Sequence, residues 1–422
     1  MAKWNQLNDT ALTQEQKQQL ISQVVQVIQG DDYSFDQLRD REWLGRKADE
    51  VVRNEVARSP FAVPAPMVDE ISKAAVAVVG GLGFVHELLP PVRDDLSEIS
   101  VDAEGRVWLM AKQDVYFRVY DYAPSPAEVW RAVEALLAHS GQAVSRAIPS
   151  VDAKLPRGAG MGGARIKVIH PSVAPGAGFP LFNIRLFEPK PVRIEQLLAW
   201  QVAPQHILEK LQKIVAEGYR VLIAGGTYTG KTTLLSALAN AIPKNARILK
   251  IEDPEEIWIE HPHVISLEAR DAPPGSDIPG YSITDGVNDG MRLSPRWLIV
   301  GEVRVGGAAL DLFSAQMSGH PGLSTFHARS PEETAERISL MMFMDRGVEL
   351  EAARNFFASA VDVVLQMGWI GGQRKLLGMW GVRERLRDGQ VAFEDIWVAD
   401  GYQSGQNYDR VQCLTKIMQE DS

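Results

Sequence analysis

Gly225-Gly-Thr-Tyr-Thr-Gly-Lys-Thr232 is where residue types and spacing could do chemistry most directly. The glycines let the chain bend so that successive backbone N–H groups face one anion. Lys231 reaches the outer phosphates of a nucleotide, and the Thr232 hydroxyl can ligate Mg²⁺. The pattern G-x-x-x-x-G-K-[ST] therefore predicts ATP with Mg²⁺, held by Gly225, Gly226, Thr227, Tyr228, Thr229, Gly230, Lys231, Thr232 and Thr233. The rival reading is a glycine-rich turn without ligand. It is disfavoured because the segment lies between a predicted strand, Arg220–Ala224, and a predicted helix, Lys231–Ile242, as the phosphate cradle requires. Tyr228 is the one awkward residue, bulky where a small side chain would leave the loop freer.

Phosphoryl transfer needs charge neutralisation and a positioned water more than covalent chemistry. Trp297-Leu-Ile-Val-Gly-Glu302 is an apolar strand ending in a carboxylate, which makes Glu302 the candidate for orienting or deprotonating the attacking water. Ile251-Glu-Asp-Pro-Glu-Glu256 also follows a strand, so Glu252 and Asp253 are candidates for holding a Mg²⁺-bound water. An acidic residue after a strand is otherwise a solvated turn or a helix cap. Gly319-His-Pro-Gly-Leu-Ser-Thr-Phe-His327 contributes His320 and His327. His327 follows the apolar run Leu323–Phe326, and its functional reading is a γ-phosphate sensor or hydrogen-bonding relay. No cysteine or acidic residue completes a metal-ligand set around the pair.

These residues need a sheet to hold them. From Ile194 onward helical and strand patterns alternate, with further strands at Arg247–Ile251, Val264–Glu268 and Trp297–Val300. This predicts a mostly parallel sheet with helices on its faces, an α/β class. Upstream, Glu98–Val101, a turn at Asp102–Gly105 and Arg106–Met110 read as a hairpin, and Val115–Tyr120 as a third strand. A helix over Pro126–His139 and strands at Ala164–Ile169 and Leu181–Phe187 complete a smaller mixed β/α domain. The first ninety-odd residues read as helical and polar. Thr13–Gln16 is a capping box ahead of Leu20, Val24, Val27 and Ile28, Ser34–Arg58 is a solvated helix or partner-binding arm, and Pro60, Pro64 and Pro66 are breaks. The expected division is 1–94 extension, 95–187 β/α domain, 188–193 linker, 194–400 ATPase domain and 401–422 tail.

The bulk numbers fit that reading. A chain of 422 residues predicts about two or three domains. With 45% hydrophobic and 23% charged residues it has the composition of an ordinary globular protein. A net charge of −10 and the lack of a basic, aromatic-interleaved stretch argue against direct nucleic-acid binding. Cys413 is the sole cysteine, so no intrachain disulfide forms. Met1–Thr10 lacks a signal pattern, and the apolar run Ala74–Val85 is shorter than the ~20 residues of a membrane span. The expectation is a cytoplasmic protein that meets a membrane only through partners.

Taken in order, the motifs Gly225–Thr232, Ile251–Glu256, Val300-Gly-Glu-Val-Arg304 and Gly319–Ala328 resemble those of the secretion ATPases. That family powers type II and type IV secretion, type IV pili and conjugation. The likeness runs roughly from Leu96 to Val398 and includes Leu96-Ser-Glu-Ile-Ser-Val, Asn183-Ile-Arg-Leu-Phe and Val361-Asp-Val-Val-Leu-Gln. It implies a PAS-like N-terminal domain joined to a RecA-like P-loop ATPase domain, a homo-hexamer, and docking to an inner-membrane secretion or pilus complex. By matching motifs it makes Glu302 the Walker B glutamate, Glu252 and Asp253 the acidic box, and His320 with His327 the histidine box. It also implies arginines carried from the N-terminal domain to the phosphates, for which Arg146, Arg165 and Arg185 are the candidates. The chain departs from the family at Tyr228-Thr229, where Gly-Ser is usual, and lacks a four-cysteine zinc module. The latter points to the type IV secretion, conjugation or tight-adherence pilus branch. Two other functions fit the same residues: a nucleic-acid motor of the RecA-like class, and a nucleotide-responsive scaffold that does not hydrolyse.

Overall fold

The computed structural model of the chain describes residues 14–30, 41–59, 63–79, 82–112, 114, 116–138, 140, 142–155, 157, 162–272, 277–400 and 402. Thr13 of the expected capping box, residues 34–40, Pro60, Val115, Cys413 and most of the expected tail lie outside these. The chain divides into two compact units, Met1–Pro189 and Lys190–Ser422.

In the first unit, helices α1 (Gln14–Gly30), α2 (Arg41–Arg58) and α3 (Ala65–Val79) share one apolar cluster. Leu20, Val24 and Ile28 of α1 meet Leu44, Ala48 and Val52 of α2, all buried at helical spacing. The expected solvated helix over the charged segment therefore buries one whole side; its dense charges occupy the other faces and hid the stripe. Pro66 does not break α3 but lies in its first turn, where its missing N–H costs no helical bond.

Beyond these helices a six-stranded antiparallel sheet forms from β1 (Leu96–Val101), β2 (Val107–Ala111), β3 (Arg118–Tyr120), β4 (Ser150–Leu155), β5 (Ala164–Ile169) and β6 (Leu181–Leu186), in the order β3-β2-β1-β6-β5-β4. Helix α4 (Pro126–Ala138) lays Val129, Val133, Leu136 and Leu137 into the same core as Ile166, Val168 and Ile184. Strand alternation leaves Arg165, Lys167, Asn183 and Arg185 on the other face. The expected third strand shrinks to Arg118–Tyr120, and β4, alternating outward and inward along its whole length, was not anticipated.

The second unit is a three-layer α/β structure. Its eight-stranded sheet runs β14-β13-β12-β7-β11-β10-β8-β9. The strands are β7 (Arg220–Gly225), β8 (Ile248–Glu252), β9 (Val264–Glu268), β10 (Trp297–Val300), β11 (Gly322–Phe326), β12 (Val363–Ile370), β13 (Gln373–Val382) and β14 (Phe393–Val398). From β12 to β9 the neighbours are parallel, and β13 and β14 are antiparallel additions.

The central strands are buried along nearly all their length because helices cover both faces. Val221, Ile223 and Ile299 face α5 (Ile194–Ala199), α6 (Gln205–Ala216) and α7 (Lys231–Ala239). Leu222, Ala224 and Val300 face α8 (Ile283–Met291), α9 (Gly306–Met317), α10 (Pro331–Arg346) and α11 (Leu350–Ala360). Parallel strands bring their carboxyl ends to one edge, which is where open α/β sheets place ligands.

Phe357 of α11 is fully buried and packs edge-on against Phe313 of α9 at 5.8 Å between centroids. Phe357→Ala removes that contact and leaves a cavity, so it is expected to cost about 3–5 kcal/mol. A lowered denaturant midpoint with an unchanged m-value checks this; an unmoved midpoint contradicts the packing.

Candidate active site

Strand β7 enters the loop 225–232 through Gly225, whose position admits no side chain. A Cβ there would lie 2.6 Å from Thr229 Oγ1 and 2.8 Å from the Met367 carbonyl oxygen. The loop then takes two left-handed residues, Tyr228 at φ 59° and Gly230 at φ 91°. The Thr229 hydroxyl closes it by donating to the Gly226 carbonyl at 2.9 Å. Gly230 precedes α7, whose first-turn amides have no partner within the helix and face an incoming anion. Tyr228 is 43% exposed. The loop fits a phosphate chain by its closed hairpin, its helix N-terminus and its buried lysine.

Lys231 Nζ donates to the Gly226 carbonyl at 2.8 Å and lies 3.2 Å from His327 Nδ1. An ammonium can only donate, so Nδ1 is the accepting nitrogen and Nε2 carries the proton. Nε2 in turn sits 2.9 Å from Glu302 Oε1. The other carboxylate oxygen of Glu302 takes Arg304 Nε at 2.9 Å and Nη2 at 2.8 Å, and Arg304 Nη1 is 3.7 Å from Asp253. A continuous line thus runs Lys231, His327, Glu302, Arg304, Asp253, in which the neutral imidazole bridges the first cation to the first anion. It follows the strand order β7-β11-β10-β8.

The backbone around Glu302 is pinned from both neighbouring strands. Gly301 N–H donates to Ile251, Val303 N–H donates to Thr325, and Thr325 Oγ1 donates to Gly301 at 2.6 Å. Burial pushes the Glu302 carboxyl up. The bonds from His327 and Arg304, with the Arg304 charge, overcome that and hold it at about 2. Glu302 is therefore ionised at any physiological pH and a weak proton acceptor while those partners stay in place.

Glu252 is treated differently. It is buried, paired with Lys250 at 2.8 Å, and accepts the amides of Glu256 at 3.0 Å and Ile257 at 2.8 Å. Burial raises its pKa against the opposing pull of Lys250. The carboxylate is spent on holding the loop that carries Asp253, and Asp253 itself is the exposed acid of the pair.

His320 does not join this cluster. It precedes β11 and its Nδ1 bonds the Ala315 carbonyl at the end of α9, at 3.0 Å, whereas His327 follows β11. Five strand residues, about 17 Å, separate the two ends. Of the two histidines that the resemblance assigns to the histidine box, His327 reaches Lys231 of the loop and His320 bonds the end of α9.

The three candidate arginines all belong to the first unit. Arg146 is exposed in the segment between α4 and β4. Arg165 and Arg185 are cross-strand partners, with Lys154 opposite Arg165 in turn. Arg165 lies 3.7 Å from Asp152.

Several site residues escaped sequence reasoning. Arg304 stood inside a recognised motif without a role. Lys250 was a lone charge in an apolar strand, which by itself demands a buried partner. Gln366 gave no signal; its Nε2 donates to the Ala328 carbonyl at 3.1 Å, beside His327. Among the described residues no group of three or more His, Cys, Asp or Glu is arranged to hold a metal ion. Mg²⁺ would be held by Thr232 together with nucleotide, where it neutralises phosphate charge.

Residues 90–367 match the family described as Type II/IV secretion system protein. The chain is 30% identical over 323 residues to a putative conjugal transfer protein of Mycobacterium tuberculosis, covering 76% of this chain and 89% of that one. It is 28% identical over 349 residues to the type IV secretion system protein PtlH of Bordetella pertussis, covering 73% and 92%. The solved ATPase DotB of Legionella pneumophila covers 68% of this chain and 77% of its own at 18% identity, with a TM-score of 0.50, a likeness of fold alone. The fold is a smaller mixed β/α unit followed by a RecA-like one.

The depressed pKa of Glu302 has a sign that can be tested. A carboxyl held near 2 rather than 4.5 adds stability above about pH 4.5, and that stability is lost as pH falls toward 2. Glu302→Gln should therefore melt below the parent by a constant gap at about pH 6–8, narrowing by about pH 3.5. Melting curves across that range check it, and a gap independent of pH contradicts the ion-pair assignment.

Proposed function

The chain belongs to the type II/IV secretion system protein family, and on that premise we propose that it is an ATP-hydrolysing motor. It would power macromolecule translocation or pilus assembly at a type IV-type secretion or conjugation machine. The observation that carries this reading is the line from Lys231 through His327 to Glu302. It joins the residue that would hold the terminal phosphate to the one that would position the attacking water.

In this reading Lys231 exchanges the Gly226 carbonyl for phosphate oxygens and, having three donors, keeps its bond to His327 Nδ1. His327 Nε2 stays on Glu302, so the phosphate is coupled to the carboxylate through the ammonium and one imidazole. A carboxylate held at about 2 orients water better than it deprotonates it. Orientation is sufficient, since phosphoryl transfer with a loose transition state asks for position and charge. Arg304 would help neutralise charge that develops beside Glu302 and Asp253.

The cross-strand row Lys154, Arg165, Arg185 ends opposite the Glu98 carboxylate, and Arg165 has Asp152 3.7 Å away, so acids of the same unit answer these cations. By family resemblance alone, Arg146, Arg165 and Arg185 stay the candidates for charge supplied to nucleotide in a homo-hexamer. No helix of the described residues is long and apolar enough to cross a membrane. Attachment to an inner-membrane complex would therefore run through partners.

Steady-state ATP hydrolysis by the purified chain, with and without single-stranded and duplex DNA, tests the proposal. Turnover should be independent of DNA. Lys231→Ala and Glu302→Gln should each lower it at least about a hundredfold, and Glu302→Gln should keep its affinity for ATP. Turnover only with DNA would favour a nucleic-acid motor. Binding without turnover in the parent would favour a scaffold.

A further inference from the structure

Tyr228 is the residue of the phosphate loop that neither the motif nor the proposed chemistry uses, and its backbone is the unusual feature. A tyrosine at φ 59° occupies the left-handed region that side-chain-bearing residues avoid, and something must hold it there. The holding contact comes from 146 residues away. Arg374 Nε donates to the Tyr228 carbonyl at 2.8 Å.

Arg374 is itself fixed. It is the second residue of β13 after the Gly371-Gly372 turn, directly opposite Trp369 in the β12–β13 ladder, and its guanidinium lies over the Trp369 ring at 5.3 Å. β12 pairs with β7 as far as Gly225, so the hairpin continues alongside the loop that leaves β7 there. A Cβ on Gly230 would meet Arg374 Cδ and Met367 Cε, each at 3.7 Å, so the hairpin walls the loop from Tyr228 to Gly230.

The carbonyl that Arg374 takes belongs to the peptide joining Tyr228 to Thr229. In a planar trans peptide the C=O and N–H point to opposite sides. Drawing the Tyr228 oxygen outward to the hairpin wall aims the Thr229 N–H to the inner side of the loop. We propose that Arg374, braced on Trp369, is a positioning residue for nucleotide: it sets the 228–229 peptide so that the Thr229 amide faces the phosphates. The inference rests on the reading of 225–232 as a nucleotide cradle. Tyr228 is then tolerated because Arg374 secures the strained peptide.

The test uses the full chain, with Mg·ADP affinity by calorimetry and ATP kinetics for the parent and four variants: Arg374→Ala, Arg374→Lys, Tyr228→Gly and the Tyr228→Gly/Arg374→Ala double. Arg374→Ala should weaken ADP binding and raise KM for ATP about tenfold, with the loss falling on KM rather than kcat and the nucleotide-free melting temperature kept. Arg374→Lys should not restore binding, because it brings charge without the Nε donor or the stacked plane. With Tyr228→Gly the left-handed conformation needs no external hold. In that background Arg374→Ala should cost under about threefold. Parent-like binding by Arg374→Ala, full rescue by lysine, or an equal loss in both backgrounds each overturns the latch while leaving the cradle standing. If the parent itself binds no nucleotide, the cradle reading falls and the latch with it. A lowered nucleotide-free melting temperature with equal losses in KM and kcat would mean a merely structural arginine, and also overturns it.

Discussion

One imidazole holds the charged cluster together, and the rest of the second unit is arranged so that it can. His327 accepts from an ammonium on one nitrogen and offers a proton to a carboxylate from the other. Only a neutral ring with one donor and one acceptor can stand between a cation and an anion in this way. A lysine and a glutamate left to themselves would pair directly, and Lys231 would then be unavailable to phosphate. The spacing is enforced by topology. β11, late in the chain, inserts between β7 and β10, so that the residue after β11 lies between those after β7 and β10. Parallel pairing of Phe326 with Ala224 and of Ser324 with Val300 brings the strand ends level.

Two glutamates at the ends of neighbouring strands show how the surroundings divide roles. Glu252 has a lysine and two amides and yet is raised, because it is almost fully enclosed. Glu302 is less enclosed and has a guanidinium gripping one oxygen and an imidazole on the other, so it is lowered. Burial penalises either charge; its depth, weighed against the donors, decides the outcome. A buried acid paired with Lys250 suits a fixed structural post, since breaking such a pair leaves an uncompensated charge. An acid on the open side of the strand ends, held by exchangeable donors, suits a group that must change partners.

The sequence was most informative where local pattern and tertiary setting agree. Trp297–Val300 and Val264–Glu268 have the expected bounds, and the helix–strand alternation forms the three layers. It was least informative where a residue's role depends on strand order. His320 and His327 lie close together in sequence, and only the direction of β11 between them sends them to opposite edges of the sheet. Charge also misled. The apolar positions of Arg41–Arg58 are sparse among acids and bases, but Leu44, Ala48, Val51 and Val52 lie on one side of a helix and find a core in α1 and α3. Gln366 and Arg304 act through carbonyl and carboxylate contacts that no local pattern encodes.

The matched family segment ends at residue 367, and the wall beside the phosphate loop is built just beyond it, from Trp369 and Arg374. The matched segment spans the cradle, the strand-end acids and His327, and the arginine that contacts the Tyr228 carbonyl lies beyond it. A loop glycine needs no such contact, because it visits the left-handed region freely. A tyrosine does, and the chain supplies it from the one hairpin whose inner strand is already hydrogen-bonded to β7. The bulky residue and the distant arginine are thus two halves of one arrangement, joined by the ladder between β7, β12 and β13.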